Sequence, residues 1–292
     1  MYNDINYDLG RLIIIFVATI FLTIAVNFAK LNAFDGIGIE YNVKWIGLVS
    51  LSMLVVGLLG LFLPNVGEIV VQVASVGAIL ICCSLIFIEL MYYFNWKILL
   101  KHFEIKTLKI RILDILGLLL SVPVVIGWWF SNNNWILSNL ISFCIVLSCI
   151  KVIKITSFKV ALMAYGILFI LYIIAAVLPV IIKAESVNFF FIYAFKTPFQ
   201  IQAPIILPMY ATKCSWISVT TVCFPGIIIS YLRRFDQSRN TNIYLVTSII
   251  AYFLGSIIWW IVNAFSYYPI PYSAFCEPLM MITFSIFAFK RK

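Results

Sequence analysis

The chain has 292 residues, of which 64% are apolar, 16% aromatic and only 11% charged. Soluble domains carry charge on about a quarter of their residues, so a water-solvated globule is excluded and lipid is the expected solvent. The net charge of +9 would suit a nucleic-acid partner in a soluble protein, but the bases lie in short clusters between apolar runs, where they set topology, and no such partner is expected.

A hydrocarbon slab about 30 Å thick takes roughly 20 residues of helix. Apolar stretches bounded by charges, Asn, Pro or Trp predict nine such helices, at about 12–29, 45–63, 69–94, 112–130, 135–150, 160–182, 214–232, 243–265 and 271–289. Backbone groups in lipid must pair within their own segment, so the expectation is an all-α polytopic protein forming one integral membrane domain over residues 1–292. The first run follows Arg11, yet Asp4 and Asp8 precede it and no small-x-small site follows it, so it reads as a retained span.

The basic residues sort onto alternate connections. Lys30 and Lys44, the cluster from Lys97 to Arg111, Lys151 with Lys154 and Lys159, Arg233 with Arg234 and Arg239, and Lys290 to Lys292 fall on one side, leaving Arg11, Lys183, Lys196 and Lys213 opposite. The positive-inside bias then predicts a lumenal N-terminus, a cytosolic C-terminus and an odd number of spans. The tryptophans cluster near segment ends, where an amphipathic ring prefers the headgroup zone. One connection is long: residues 183–213 carry Phe189, Phe190, Phe191, Tyr193 and Phe195, then Pro198, Pro204 and Pro208, which reads as a functional or an interfacial segment.

The ionisable inventory is narrow. Seven cysteines lie in or beside apolar runs and their number is odd, which argues against a disulfide framework. His102 is the single histidine and no Cys-x-x-Cys pair exists, so neither a metal nor another cofactor is expected. His102 lies far from any Gly-x-Ser-x-Gly turn, and no glycine-rich loop ends in Gly-Lys-Ser/Thr. Intramembrane acids are default functional candidates, and Glu89 and Glu277 qualify, with Asp114 near a segment start. Glu89 is placed to meet Lys97 near the cytosolic interface; Glu277 precedes Pro278 in the last span. Ala251-x-x-x-Gly255 predicts close helix packing.

Several spaced features resemble the signal peptide peptidase branch of the presenilin-type intramembrane aspartyl proteases. Trp135-Ile136 with Asn139-Leu140 resembles the start of that family's fifth span, and Ala203-Pro204-Ile205 the segment before its seventh. Pro225-Gly226-Ile227 and Arg234-Phe235-Asp236 resemble the middle and end of the seventh, while Thr247-Ser248, Ala251-Tyr252 and Gly255 resemble the eighth. The resemblance covers roughly 130–292 by motif and the first half by topology, and it implies a presenilin-like bundle in the endoplasmic reticulum membrane. It also implies two aspartates sharing a proton, one activating water and one polarising the scissile amide. Where the family carries tyrosine-aspartate, this chain reads Tyr172-Ile173; where it carries glycine-any-glycine-aspartate, it reads Ser218-Val219-Thr220-Thr221. The proline-alanine-leucine motif reads Pro271-Tyr272-Ser273.

Neither 160–182 nor 214–232 contains any Asp or Glu, so no shift of register restores the pair. Isoleucine has no proton to exchange and a threonine hydroxyl has no accessible pKa for general-base work. The expectation is therefore an inactive homologue that binds transmembrane helices or signal-peptide remnants. Tyr172, Ser218, Thr220, Thr221, Pro271 and Glu277 are its cleft candidates, and membrane lipid is its other partner. Two alternatives stay open: a protease with a relocated dyad using Glu277 and Glu89, and a proton- or cation-coupled transporter using Glu277.

Overall fold

The computed structural model describes residues 2–28, 39–41, 64–93, 102–105, 108–130, 134–164, 166–167, 169–170, 200–204, 214–265 and 273–289. Its helices are α1 (Tyr2–Phe28), α2 (Pro64–Tyr93), α3 (Ile112–Phe130), α4 (Trp135–Val152), α5 (Thr220–Ser238), α6 (Ile243–Phe265) and α7 (Ser273–Phe289). Four of them are long and apolar enough to cross a bilayer, over Gln72–Met91, Leu113–Phe130, Trp135–Val152 and Ile243–Val262, with a shorter apolar stretch at Leu12–Asn27. The chain is thus a polytopic integral membrane protein. The span expected at 45–63 lies outside the described residues. That at 160–182 is described only to residue 170, beginning as helix at 158–164 with the Ser157 hydroxyl accepting the Val160 amide at 3.3 Å.

Three small sheets join the connections. Strand β1 (Ile39–Tyr41) pairs in parallel with β4 (Ile153–Ile155), β2 (His102–Ile105) pairs antiparallel with β3 (Leu108–Arg111), and β5 (Gln200–Pro204) pairs antiparallel with β6 (Cys214–Ser218). The last pair corrects the expected seventh span, 214–232. Its first five residues are extended, and the helix runs instead from Thr220 to Ser238. An apolar run short of a full helix is indistinguishable from a strand by hydropathy alone. Here β5 supplies Ile201 and Gln202 opposite Ile217 and Trp216, so the segment's amides are paired across the sheet rather than along a helix.

The bundle is apolar outside, and inside it mixes large apolar side chains with small buried serines. Along α6 the exposed residues Val246, Ile250, Leu254, Ile258 and Ile261 recur at three- and four-residue intervals and form a lipid-facing stripe, as Phe16, Ile20 and Ile24 do along α1. Buried serines line the inside, among them Ser75, Ser142, Ser148 and Ser256. Their hydroxyls return to carbonyls: Ser256 donates to Tyr252 O at 2.7 Å, and Ser148 of α4 donates to Cys82 O of α2 at 3.1 Å. The core runs through α1, α2, α4, α5, α6 and α7, and α3 packs on α2 through Leu113, Ile88 and Met91.

Glycine sets the closest approaches. A Cβ built on Gly255 of α6 would lie 2.7 Å from the Cys276 Cα and 3.2 Å from the Phe275 carbonyl oxygen, both backbone atoms of α7. The Ala251-x-x-x-Gly255 spacing is therefore a packing seam. On α5, a Cβ on Gly226 would run into Ile150 Cδ1 and lie 2.9 Å from Leu22 Cδ1, so α4 and α1 close on the same point.

Polar contacts also fix which connections share a face. Arg233 of α5 donates through Nη1 to the Val26 carbonyl at 2.8 Å and to Asn27 Oδ1 at 2.6 Å, capping the C-terminus of α1. With the β1–β4 pairing, the end of α1 thus meets α5, and strand β1 meets the strand that follows α4. At the end of α5, Asp236 is 1% exposed. Its carboxylate accepts from Thr241 Oγ1 at 2.6 Å and from the Leu245 amide, in the first turn of α6, at 2.8 Å. Asn240, with φ of 51°, turns the chain between the two helices.

Gly255→Leu should abolish a stably folded detergent-solubilised protein, because rigid backbone blocks the new side chain. Gly77→Ala, whose Cβ meets nothing within 4 Å, should leave the melting temperature unchanged or slightly raised. Asp236→Ala should destabilise by about 1–3 kcal/mol, the usual effect of orphaning buried donors; reversible unfolding in mixed micelles measures both.

Candidate functional site

The site is built where strand β6 becomes helix α5. Ser218 ends the strand and Thr220 begins the helix, so three hydroxyls crowd the helix N-terminus, where amides lack helical acceptors. The Ser218 and Thr220 hydroxyl oxygens are 2.7 Å apart, and the Thr220 amide donates to Ser218 Oγ at 3.3 Å. Thr221 Oγ1 donates to the Ser218 carbonyl at 2.6 Å and its residue is 8% exposed. The hydroxyls thus bond to one another and to the local backbone. They hold no carboxylate and offer no group that takes a proton from water near neutral pH.

One turn on, Pro225 lies buried inside α5. Proline has no amide hydrogen, so the Thr221 carbonyl, four residues back, loses its usual helical donor. The combination leaves a backbone acceptor beside a buried threonine at the start of the helix. Gly226 then lets α5 press against α4 and α1, which fixes this turn within the bundle.

Of the sequence-derived candidates, the structure brings Ser218, Thr220 and Thr221 together. Tyr172, Ile173 and Pro271 lie outside the described residues. Glu277, on α7, is 2% exposed, and its Oε2 has no hydrogen-bond partner among the described residues. Glu89, expected to meet Lys97, is paired instead with the Nζ of Lys151 on α4, an ion pair with both side chains under a tenth exposed. The sequence reading assigned Lys151 to topology alone; a partner 62 residues away leaves no local signal. Arg233 counts there only as a topology-setting base and Asp236 only as a motif residue, without their roles at the ends of α1 and α6.

The thiols form two contacts, Cys83 with Cys144 between α2 and α4, and Cys149 with Cys223 between α4 and α5. Cys82, Cys83, Cys144, Cys149, Cys223 and Cys276 are free thiols. Among the described residues, no three His, Cys, Asp or Glu side chains gather as a metal site.

Lys151→Met should destabilise by about 3–5 kcal/mol by leaving Glu89 buried and unpaired, whereas Glu89→Gln with Lys151→Met together should recover most of the loss. A double-mutant cycle by unfolding in micelles checks this, and additive losses would remove the pair's structural role.

Comparison with known proteins places this geometry in context. A family model described as signal peptide peptidase matches residues 13–292. Over 203 residues, 64% of this chain and 38% of the relative, the chain is 30% identical to signal peptide peptidase-like 2A of Mus musculus. Over 208 residues, 64% of this chain and 39% of the relative, it is 29% identical to signal peptide peptidase-like 2A of Homo sapiens. The matched region therefore spans less than two fifths of the curated relatives' length. No solved structure matches.

Proposed function

The chain belongs to the signal peptide peptidase family, and from that premise we propose that it is a non-cleaving member that binds transmembrane helices or signal-peptide remnants. One observation carries the reading. Neither 160–182 nor 214–232, the runs that resemble the family's acid-bearing spans, holds an Asp or Glu, the acid of α5 being Asp236 near its far end, and at the second of the two positions Thr221 turns its hydroxyl onto the Ser218 carbonyl. An aspartyl mechanism needs an acid and a base acting as one unit, and removing a member of such a unit lowers rate by orders of magnitude.

The helix-binding half of the proposal rests on what remains. Ser218, Thr220 and Thr221 give a short polar patch at the strand-to-helix junction, and Pro225 strips the Thr221 carbonyl of its helical donor. A membrane segment that unwinds locally needs such groups, since lipid supplies none. The proposed setting is the endoplasmic reticulum membrane, with the N-terminus lumenal, the C-terminus cytosolic and nine spans in a presenilin-like bundle.

A relocated dyad draws less support. Two carboxyls share a proton only when close and otherwise uncommitted. Glu89 is committed to Lys151, on helices α2 and α4, while Glu277 belongs to α7, which packs on α6.

The full chain reconstituted with a single-span substrate should yield no cleavage product, under conditions where a catalytically competent relative does, while retaining the substrate on affinity capture. Installing both acids, Ile173→Asp with Thr221→Asp, should bring product formation that neither single substitution brings. Product from the unaltered chain, blocked by a transition-state mimic of aspartyl enzymes, would overturn the proposal.

A further inference from the structure

The helix-binding reading leaves open what chemistry the bound segment carries, and Glu277 addresses it. The side chain is 2% exposed, and its Oε2 meets no hydrogen-bond partner among the described residues. A carboxyl held so in a bilayer protein is among the most unfavourable side chains to retain, and it persists where something compensates it. The helix around it offers acceptors. Pro278 follows directly, inside α7, and its missing amide hydrogen leaves the Ala274 carbonyl, one turn back, without its usual donor. A cationic donor brought to this turn would find two acceptors, the carboxylate that its charge stabilises and the Ala274 carbonyl.

The bundle shows how it compensates its other buried intramembrane acid. Glu89 takes a lysine, Lys151, from a neighbouring helix. No equivalent resident base is available beside Glu277 on its principal neighbour: α6 contains no Lys, Arg or His from Ile243 to Phe265, and α7 itself contains none from Ser273 to Phe289. Cys276, the preceding residue, packs on Gly255 and lies near Ser256, so Glu277 stands about 100° around the helix from that seam. It also lies only four residues, about 6 Å of helical rise, beyond Ser273, the end of the segment that resembles the family's proline-alanine-leucine motif.

We propose that Glu277 recognises a membrane helix carrying a Lys or Arg side chain within its apolar run, forming between chains the acid–base contact that Glu89 and Lys151 form within this one. This inference rests on the helix-binding reading and adds selectivity to it: uncharged segments bind through packing and the hydroxyl patch, and basic ones gain the Glu277 contact.

The test uses the full chain in lipid vesicles and labelled 20-residue Leu/Ala peptides bearing one central Lys or, in its place, norleucine. The Lys peptide should bind about tenfold more tightly, the weight of one favourable interhelical polar contact. Glu277→Gln should erase that advantage, so that the Lys and norleucine peptides bind alike. Moving the Lys by one helical turn toward either end should weaken the advantage, a comparison made on the unaltered chain that stays decisive if the variant fails to fold. Equal binding of both peptides, or an advantage indifferent to depth or to Glu277→Gln, would overturn the assignment and leave the helix-binding reading intact. Failure of both peptides to bind would overturn the reading and this inference together.

Discussion

Lipid donates and accepts no hydrogen bonds, and the design of this bundle follows from that single property of its solvent. Apart from the Oε2 of Glu277, the described polar groups named here that enter the apolar zone are met by a protein group. Thr19 and Thr23 on α1 return their hydroxyls to carbonyls one turn back at 2.8 Å. Glu89 takes Lys151, Arg233 takes the end of α1, and Asp236 takes the start of α6. The long-range contacts among these tie helices that hydrophobic packing alone would let slide, because lipid tails are as apolar as the side chains they touch.

The same constraint illuminates the change at the strand-to-helix junction. A proton-sharing pair of buried acids is a strained arrangement that a protein retains for chemistry, at the expense of stability. On the proposed reading, Ile173 and Thr221 relieve that strain. The isoleucine is suited to lipid or to a packed core, and the threonine satisfies itself within one turn through the Ser218 carbonyl. A bundle relieved of its dyad can tolerate an acid elsewhere, and Glu277 is one that it keeps buried with Oε2 unpartnered.

Much of this architecture was legible in the residues. The apolar runs at 112–130 and 243–265 coincide with α3 and α6, because long stretches ending in charge, Asn or aromatic anchors admit one reading in a bilayer. The run at 214–232 did not, since hydropathy does not distinguish five extended residues from the start of a helix, and the partner strand lies across a connection. Motif spacing located Ser218, Thr220 and Thr221. Their mutual bonding was invisible, as it depends on rotamers set by the turn. The partners of Glu89 and Asn27 were equally hidden, because pairing between distant helices leaves no mark on local periodicity.

The contact between Arg233 and the end of α1 spans 207 positions of the chain. A ribosome releases Val26 and Asn27 into the membrane long before the guanidinium that closes their helix has been synthesised. Helix α1 must therefore wait with its last carbonyls served by headgroups or water until Arg233 has entered the membrane with α5. Assembly order is thus written into one arginine, which cannot seal α1 until α5 has been made.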